Sequence, residues 1–180
     1  MVKSRIVIVA PFPALACIAQ EVVTDRAGEW PESIGIVTGD LAEGVAAARQ
    51  AAVNGAEVII SRGGTASAIA DQVAVPVVEI QVTVLDILRA LEQSGVASGT
   101  AGIAGFANVI YGCEDLGRLW GLDVREITLD TVKSGEAQAK LAAAAQEGIR
   151  LIVGDAIAVK LAVQLGLEGV LIQSGKDSIY

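Results

Sequence analysis

The sequence predicts an α/β fold of two Rossmann-like lobes, each with a parallel sheet flanked by helices, and a ligand cleft between the lobes. Along the 180 residues, apolar runs rich in Val and Ile alternate with Ala-rich segments of helical periodicity. This alternation is typical of parallel sheets joined by right-handed crossover helices. The chain is 53% hydrophobic but only 3% aromatic, so aliphatic residues dominate, which suits strands covered on both faces by helices.

Eight short apolar runs bounded by turn residues are the predicted strands. They span residues 5–10, 33–38, 57–61, 75–80, 100–106, 122–129, 149–153 and 169–173. Most of the intervening segments have apolar residues at helical spacing and are the predicted helices. They span residues 14–25, 41–53, 65–72, 84–93, 111–120, 136–147 and 155–165. The pair Asn54-Gly55 is a helix stop before a strand, and Thr83 with Asp86 resembles a capping box at a helix start.

The two halves of the chain resemble each other. Residues 41–80 align without a gap to residues 134–173, with Val77 opposite Val170, which predicts two similar lobes. The small-residue stretch 93–99 suits a hinge and places the boundary between them. The first lobe then spans residues 1–95, with residues 170–180 returning to it, and the second lobe spans residues 96–169.

Composition excludes several classes of function. A net charge of −8 repels phosphate backbones, so the chain is not expected to bind nucleic acid directly. With no histidine and two separated cysteines, no metal centre or disulfide framework is expected, and a reducing cytoplasm is the predicted compartment. No uninterrupted apolar run approaches membrane-spanning length. No cofactor is expected in this chain.

The segment that follows the third predicted strand is the most informative one for function. An apolar run there ends at a serine, an arginine, two glycines and a threonine that opens a helical segment. In open α/β sheets this place binds ligands, and free backbone N–H groups with an arginine fork favour a carboxylate or phosphate. The candidate anion-binding residues are Ser61, Arg62, Gly63, Gly64 and Thr65.

Other strand ends supply hydroxyls, amides and backbone donors but few general acids or bases, which favours binding a small polar ligand over transforming it. The further candidates are Thr83, Asn108, Gly154, Asp155, Gln173 and Ser174. Each has a structural alternative. Thr83, Ser174 and Asp155 suit helix caps, the turn 38–40 suits an N-cap, and Arg62 suits a surface pair with Glu79 or Asp71.

Several of these segments, in this order, resemble the N-terminal sensor domain of propionate catabolism activators. They are Ser61 to Thr65, residues 75–80 with 86–91, residues 105–108, residues 152–155 and residues 170–175. The resemblance covers nearly the whole chain. It implies a two-lobe α/β receptor module that binds a small carboxylate effector, 2-methylcitrate in the propionate activators, and regulators of this kind are often described in response-regulator or phosphorelay terms.

In full-length relatives the module precedes an ATPase domain that acts with sigma-54 RNA polymerase and a DNA-binding domain. This sequence contains neither a Walker-type phosphate loop nor a basic helix-turn-helix. ATP, DNA and polymerase contacts are therefore expected only through a further portion. Ser174 to Asp177 resembles a capping box opening a helix, so we expect the 180 residues to be a piece of a longer regulator.

Two other functions remain open on the sequence. Cys17 and Cys113 fall one in each predicted lobe, as in a cofactor-independent racemase that uses paired cysteines. Against this, Cys17 lies in an apolar helical pattern, and two carboxylates follow Cys113. The third function is an oligomerisation module anchored by Trp30 and Trp120, and a homodimer is compatible with the sensor as well.

Overall fold

The computed structural model describes residues 4–29, 33–95, 99–129 and 134–179, without the side chains of Ala107, Asn108 and Ser134. Trp30, one of the two tryptophans considered as interface anchors, lies outside these ranges. Strands and helices alternate within them, as the sequence predicts. The strands are β1 Ile6–Ala10, β2 Ile34–Thr38, β3 Val58–Arg62, β4 Val77–Ile80, β5 Thr100–Gly105, β6 Asp123–Thr128, β7 Leu151–Gly154 and β8 Glu168–Leu171. The α-helices are α1 Pro13–Asp25, α2 Leu41–Val53, α3 Gly63–Ala70, α4 Val84–Gln93, α5 Ala107–Ile110, α6 Cys113–Leu119, α7 Ser134–Gln146 and α8 Ala156–Gln164.

Three helix predictions are corrected. The predicted helix 111–120 is the shorter helix α6, which begins at Cys113 because Gly112 before it has a φ of +88°, and α5 is an additional short helix at residues 107–110. Helix α3 begins at Gly63 rather than at Thr65, so the glycines form the first turn of the helix. The C-terminal capping pattern leads to a 3₁₀ helix, Lys176–Ser178, instead of an α-helix.

The first unit contains the sheet β2-β1-β3-β4, with all pairs parallel. Alternate strand residues face opposite sides, so Val9 and Ile59 pack against α2 and α3, through Ala48 and Ile69. On the other face, Ala10 and Ile80 pack with Leu15 of α1 and with Ile179. Lys176 Nζ lies 3.0 Å from carboxylate oxygens of Glu21 and of Asp25, which ties the C-terminal segment to α1.

The second unit repeats this design with the parallel sheet β6-β5-β7-β8. One face is covered by α7 and α8, where Leu141 and Leu161 pack against Ile152. The other face is covered by α6, through Cys113, and by α4, through Ile87. The predicted fold class of parallel sheets flanked by helices is therefore confirmed in both units.

The chain divides between the units at two crossings. The first unit comprises the residues up to Gln81 and those from Ser174 onward, and the second unit comprises Val82–Gln173. Helix α4 thus belongs to the second unit, although its place in the sequence suggests the first. The reason is its amphipathic face, because Ile87, Ala90 and Leu91 pack against the β7 side of the second sheet.

The structural repeat corrects the ungapped sequence alignment. Ile59 and Ile152 occupy equivalent places, an offset of 93 residues, as aligned. However, Ile59 pairs with Val77 where Ile152 pairs with Gly169, so the offset in the fourth strand is 169 − 77 = 92. Val77 therefore corresponds to Gly169 and not to Val170. No helix in the described ranges has both the length and the apolarity to cross a membrane.

A glycine at the end of β7 tests the packing of the second sheet. A Cβ at Gly154 would overlap the carbonyl oxygen of Ala104 and lie 2.8 Å from Ala158 Cβ. We expect Gly154→Ala to lower the free energy of unfolding by about 3 kcal/mol, since backbone must move to admit the methyl group. Gly135→Ala, on α7 with nothing near its Cβ position, should instead raise it by about 0.5–1 kcal/mol. Urea unfolding followed by circular dichroism measures both, and equal values for the two variants would contradict the packing described.

Candidate functional site

The carboxyl ends of β1 and β3 form a switch point in the first sheet, because the chain leaves these two central strands toward opposite edges. In open α/β sheets ligands bind in the crevice at such a point. The β1–β3 ladder pairs Ile8 with Ile60 and then stops. At the next position the Ser61 hydroxyl donates a hydrogen bond to the Val9 carbonyl oxygen over 2.7 Å. A fully buried side chain thus replaces main-chain pairing at the strand ends.

At the equivalent place in the second sheet, the two central strands stay paired and leave no room for a side chain between them. There the ladder continues one residue further and pairs Ala104 with Gly154. Gly154 occupies the position of Ser61, and no side chain fits between it and Ala104. The two units share a backbone frame, yet only the first has a hydroxyl inserted between its central strand ends.

Arg62 ends β3 and precedes the first turn of α3, and its side chain is buried. The residue is 6% exposed, so it is not a surface arginine. Its guanidinium carbon lies 5.8 Å from the centre of the Phe12 ring, within the range of a cation–π interaction. Phe12 itself ends the loop after β1, immediately before α1. The switch point therefore has a positive charge held against an aromatic ring.

Glycines and a threonine complete this corner. Gly63 has a φ of +56°, which favours glycine at the residue after Arg62, and Gly64 is buried in the first turn of α3. Thr65 is 3% exposed, and its hydroxyl donates to Asp40 Oδ1 and accepts from the Leu41 N–H, both at 3.1 Å. These two hydrogen bonds connect the turn that precedes α2 with the first turn of α3. In the turn 38–40, Asp40 takes the N-cap position, but its carboxylate bonds to Thr65 and not to a helix N–H.

The remaining candidates have varied surroundings. Thr83 and Asp155 cap α4 and α8, because Thr83 forms the predicted box with Asp86 and Asp155 accepts from the Ala158 N–H at 2.8 Å. Gln173 is exposed at the end of the second unit. Asn108 lies in α5, and its side chain is outside the described part of the structure. Thr83, Gly154, Asp155 and Gln173 therefore group with the second unit, apart from Ser61 to Thr65.

Ser174 is the exception among the hydroxyls. It is 2% exposed, and its Oγ has no hydrogen-bond partner among the described residues. With the offset of 92, Ser174 corresponds to Val82, which packs into an apolar cluster. A buried hydroxyl without a partner costs about 1–3 kcal/mol of stability.

Sequence reasoning did not identify Phe12 as the partner of Arg62. A signal was nevertheless present. The chain has two phenylalanines, and Phe12 and Phe106 each stand directly before the helix that follows the first strand of a unit. Their common position in the repeat could have drawn attention to Phe12.

The cysteines lack the environment of an acid–base pair. Burial and the nearby charge of Glu126 raise the pKa of the Cys113 thiol to about 11, so it is protonated near neutral pH. A thiol in this state is a poor base or nucleophile. Cys17 is exposed on α1. In the described part of the chain, no group of three or more Cys, Asp or Glu residues could hold a metal ion.

A model of the N-terminal region of propionate catabolism activators matches residues 31–180 of the sequence. The chain belongs to the propionate catabolism activator family. It is therefore a sensor domain of a regulator of this type, which confirms the resemblance of the strand-end segments. The family match also favours a non-enzymatic role.

A solved structure of a transcriptional regulator supports the fold. An NtrC family transcriptional regulator from Clostridium acetobutylicum has a TM-score of 0.81 at 19% identity, covering 99% of this chain and 92% of that one. An ABC domain in complex with L-Trp from Streptococcus pneumonia matches with a TM-score of 0.48 and 11% identity, over 98% and 76% of the two chains. No curated protein matched the sequence.

Thiol titration tests the description of the two cysteines. At pH 8 the folded chain should expose one rapidly reacting thiol to a disulfide reagent, Cys17, and the second only in urea. Cys17→Ser should abolish the rapid phase. Because the pKa of Cys113 is raised on folding, its contribution to stability is present below pH 9 and is lost as the pH rises toward 11. Two rapidly reacting thiols in the folded chain would contradict this account.

Proposed function

We propose that this sensor domain binds a small carboxylate effector, such as 2-methylcitrate, at the carboxyl ends of β1 and β3. The observation that carries the proposal is the buried Arg62 guanidinium against the Phe12 ring, beside the first turn of α3. A planar fork of N–H donors matches a carboxylate, and a switch point is the usual ligand place of such a sheet.

Electrostatics favour an anion at this corner. The first N–H groups of α3 have no partner within the helix and carry its positive dipole end, next to Arg62. Gly63 and Gly64 let a ligand approach that backbone closely. Two or three charge-assisted hydrogen bonds, each contributing about 1.5–3 kcal/mol, support micromolar affinity after the costs of binding.

The other hydroxyls play different parts in this proposal. Ser61 and Thr65 shape the corner, because their protons are donated to Val9 and Asp40. Ser174 supplies a hydroxyl whose buried hydrogen-bonding capacity is unused among the described residues. A hydroxyl- or carboxylate-bearing effector gives it a partner. Thr83, Asn108, Gly154, Asp155 and Gln173 remain proposed ligand-binding residues.

Effector binding is proposed to act on a further portion of the regulator. Stronger binding to one of two pre-existing conformations shifts their equilibrium, and an attached sigma-54-dependent ATPase and DNA-binding portion would respond to that shift. We further propose that the regulator works in the cytoplasm as a homodimer. In this proposal the sensor domain uses no cofactor and contacts neither DNA nor membrane.

Removal of the guanidinium tests the proposed effector site. Arg62→Ala should weaken citrate or 2-methylcitrate binding about 10- to 100-fold, the equivalent of one or two charge-assisted hydrogen bonds. Arg49→Ala removes another arginine of the first unit, one bonded to Gln72 in the turn after α3, and should leave the affinity unchanged. Isothermal titration of both variants measures this, with circular dichroism to check folding. Equal affinity of folded Arg62→Ala and wild type would overturn the site.

Ser174 gives a prediction with effects of opposite sign. Ser174→Ala removes a buried hydroxyl that has no partner, so the ligand-free chain should gain about 1 kcal/mol of unfolding free energy. The same change should weaken effector binding about 3- to 10-fold, because a neutral hydrogen bond is lost. Urea unfolding and calorimetric titration report the two effects. Lower stability together with unchanged affinity would show that the hydroxyl has a structural role only.

A further inference from the structure

We infer that Phe12 is a positioning residue: its ring holds the Arg62 guanidinium in the orientation that receives the carboxylate. The inference deepens the proposed function and rests on it for the identity of the anion. A ring offers no competing hydrogen bond to the guanidinium, so it fixes the charge without consuming the N–H donors that a carboxylate needs.

The geometry of the first unit supports this role. The loop after β1 places Phe12 directly before α1, and β3 places Arg62 directly before α3, so adjacent central strands deliver the ring and the cation to one spot. The separation of 5.8 Å lies within cation–π range. Arg62 is 6% exposed, which strengthens the interaction because little water screens it.

The second unit has the same order of strands and helices but no cation at the position equivalent to Arg62. Phe106 precedes α5 as Phe12 precedes α1, and its carbonyl accepts the first-turn hydrogen bonds in the same way. Asp155 precedes α8 as Arg62 precedes α3. The repeat thus keeps the aromatic residue before the helix but has an acidic residue at the position equivalent to Arg62. Phe106 is therefore a control for the loss of a ring at this place in the fold.

Phe12 also packs with Ala10, Leu15 and Ile80, so removal of the whole side chain would disturb the core. Phe12→Leu keeps an apolar group against these residues but removes the π face. Phe12→Tyr keeps the π face. The pair separates the action of the ring on Arg62 from its packing.

Calorimetric titration with citrate and 2-methylcitrate is the first test. Phe12→Leu should weaken binding about 3- to 30-fold, the range that a cation–π interaction provides. Phe12→Tyr should stay within about threefold of wild type, and Phe106→Leu should leave affinity unchanged. If wild type binds and Phe12→Leu binds equally well, the inference fails while the proposed function stands. A loss in Phe12→Leu that Phe12→Tyr does not rescue also overturns it.

An NMR measurement on the ligand-free chain decides the case if wild type binds neither acid, the outcome in which the proposed function fails. The Arg62 Nε–H resonance, assigned by its loss in Arg62→Lys, should carry a ring-current shift. That shift should disappear in Phe12→Leu and persist in Phe12→Tyr and in Phe106→Leu. An Arg62 resonance that Phe12→Leu does not move would overturn the inference whatever the titrations show.

Discussion

The hydrogen bond from the Ser61 hydroxyl to the Val9 carbonyl is the interaction on which the site depends. It replaces the next rung of the β1–β3 ladder, satisfies a buried carbonyl and ends the pairing of the two central strands. The residues that follow these strands are Phe12 and Arg62, which meet as ring and cation. A main-chain pair at this position would hold the strand ends together, as the pairing of Ala104 with Gly154 does in the second sheet.

The two units show how one backbone frame carries different chemistry. Ser61 and Arg62 of the first unit stand where Gly154 and Asp155 stand in the second. In the second unit, Gly154 allows the central strands to stay paired at their ends, and Asp155 caps α8. Because sheet register, helix positions and the preceding phenylalanine are kept, the difference in charge is a property of side chains at equivalent sites. The proposed anion site accordingly lies in the first unit.

Much of the fold follows from local patterns in the sequence. Helices α2 and α4 have the predicted bounds, and Thr83 forms the predicted box with Asp86, because caps and periodicity act over a few residues. The unit to which α4 belongs depends on packing against β7, which local patterns do not encode. The same holds for the site. Arg62 and Gly63 can be identified from the local sequence pattern at the end of a strand. The Ser61 hydroxyl and the Phe12 ring, in contrast, reach their partners only because strand pairing brings together segments about fifty residues apart.

The most direct test of the account is a citrate titration of the ¹⁵N-labelled chain followed by backbone amide shifts. The account predicts saturable shifts that are largest at Phe12, Arg62 to Thr65 and Ser174, and that are absent in Arg62→Ala. The Cys113–Leu119 helix, on the edge-strand side of the second sheet, serves as an internal reference. Saturable shifts centred on other residues, with Phe12 and Arg62 to Thr65 unmoved, would contradict the account.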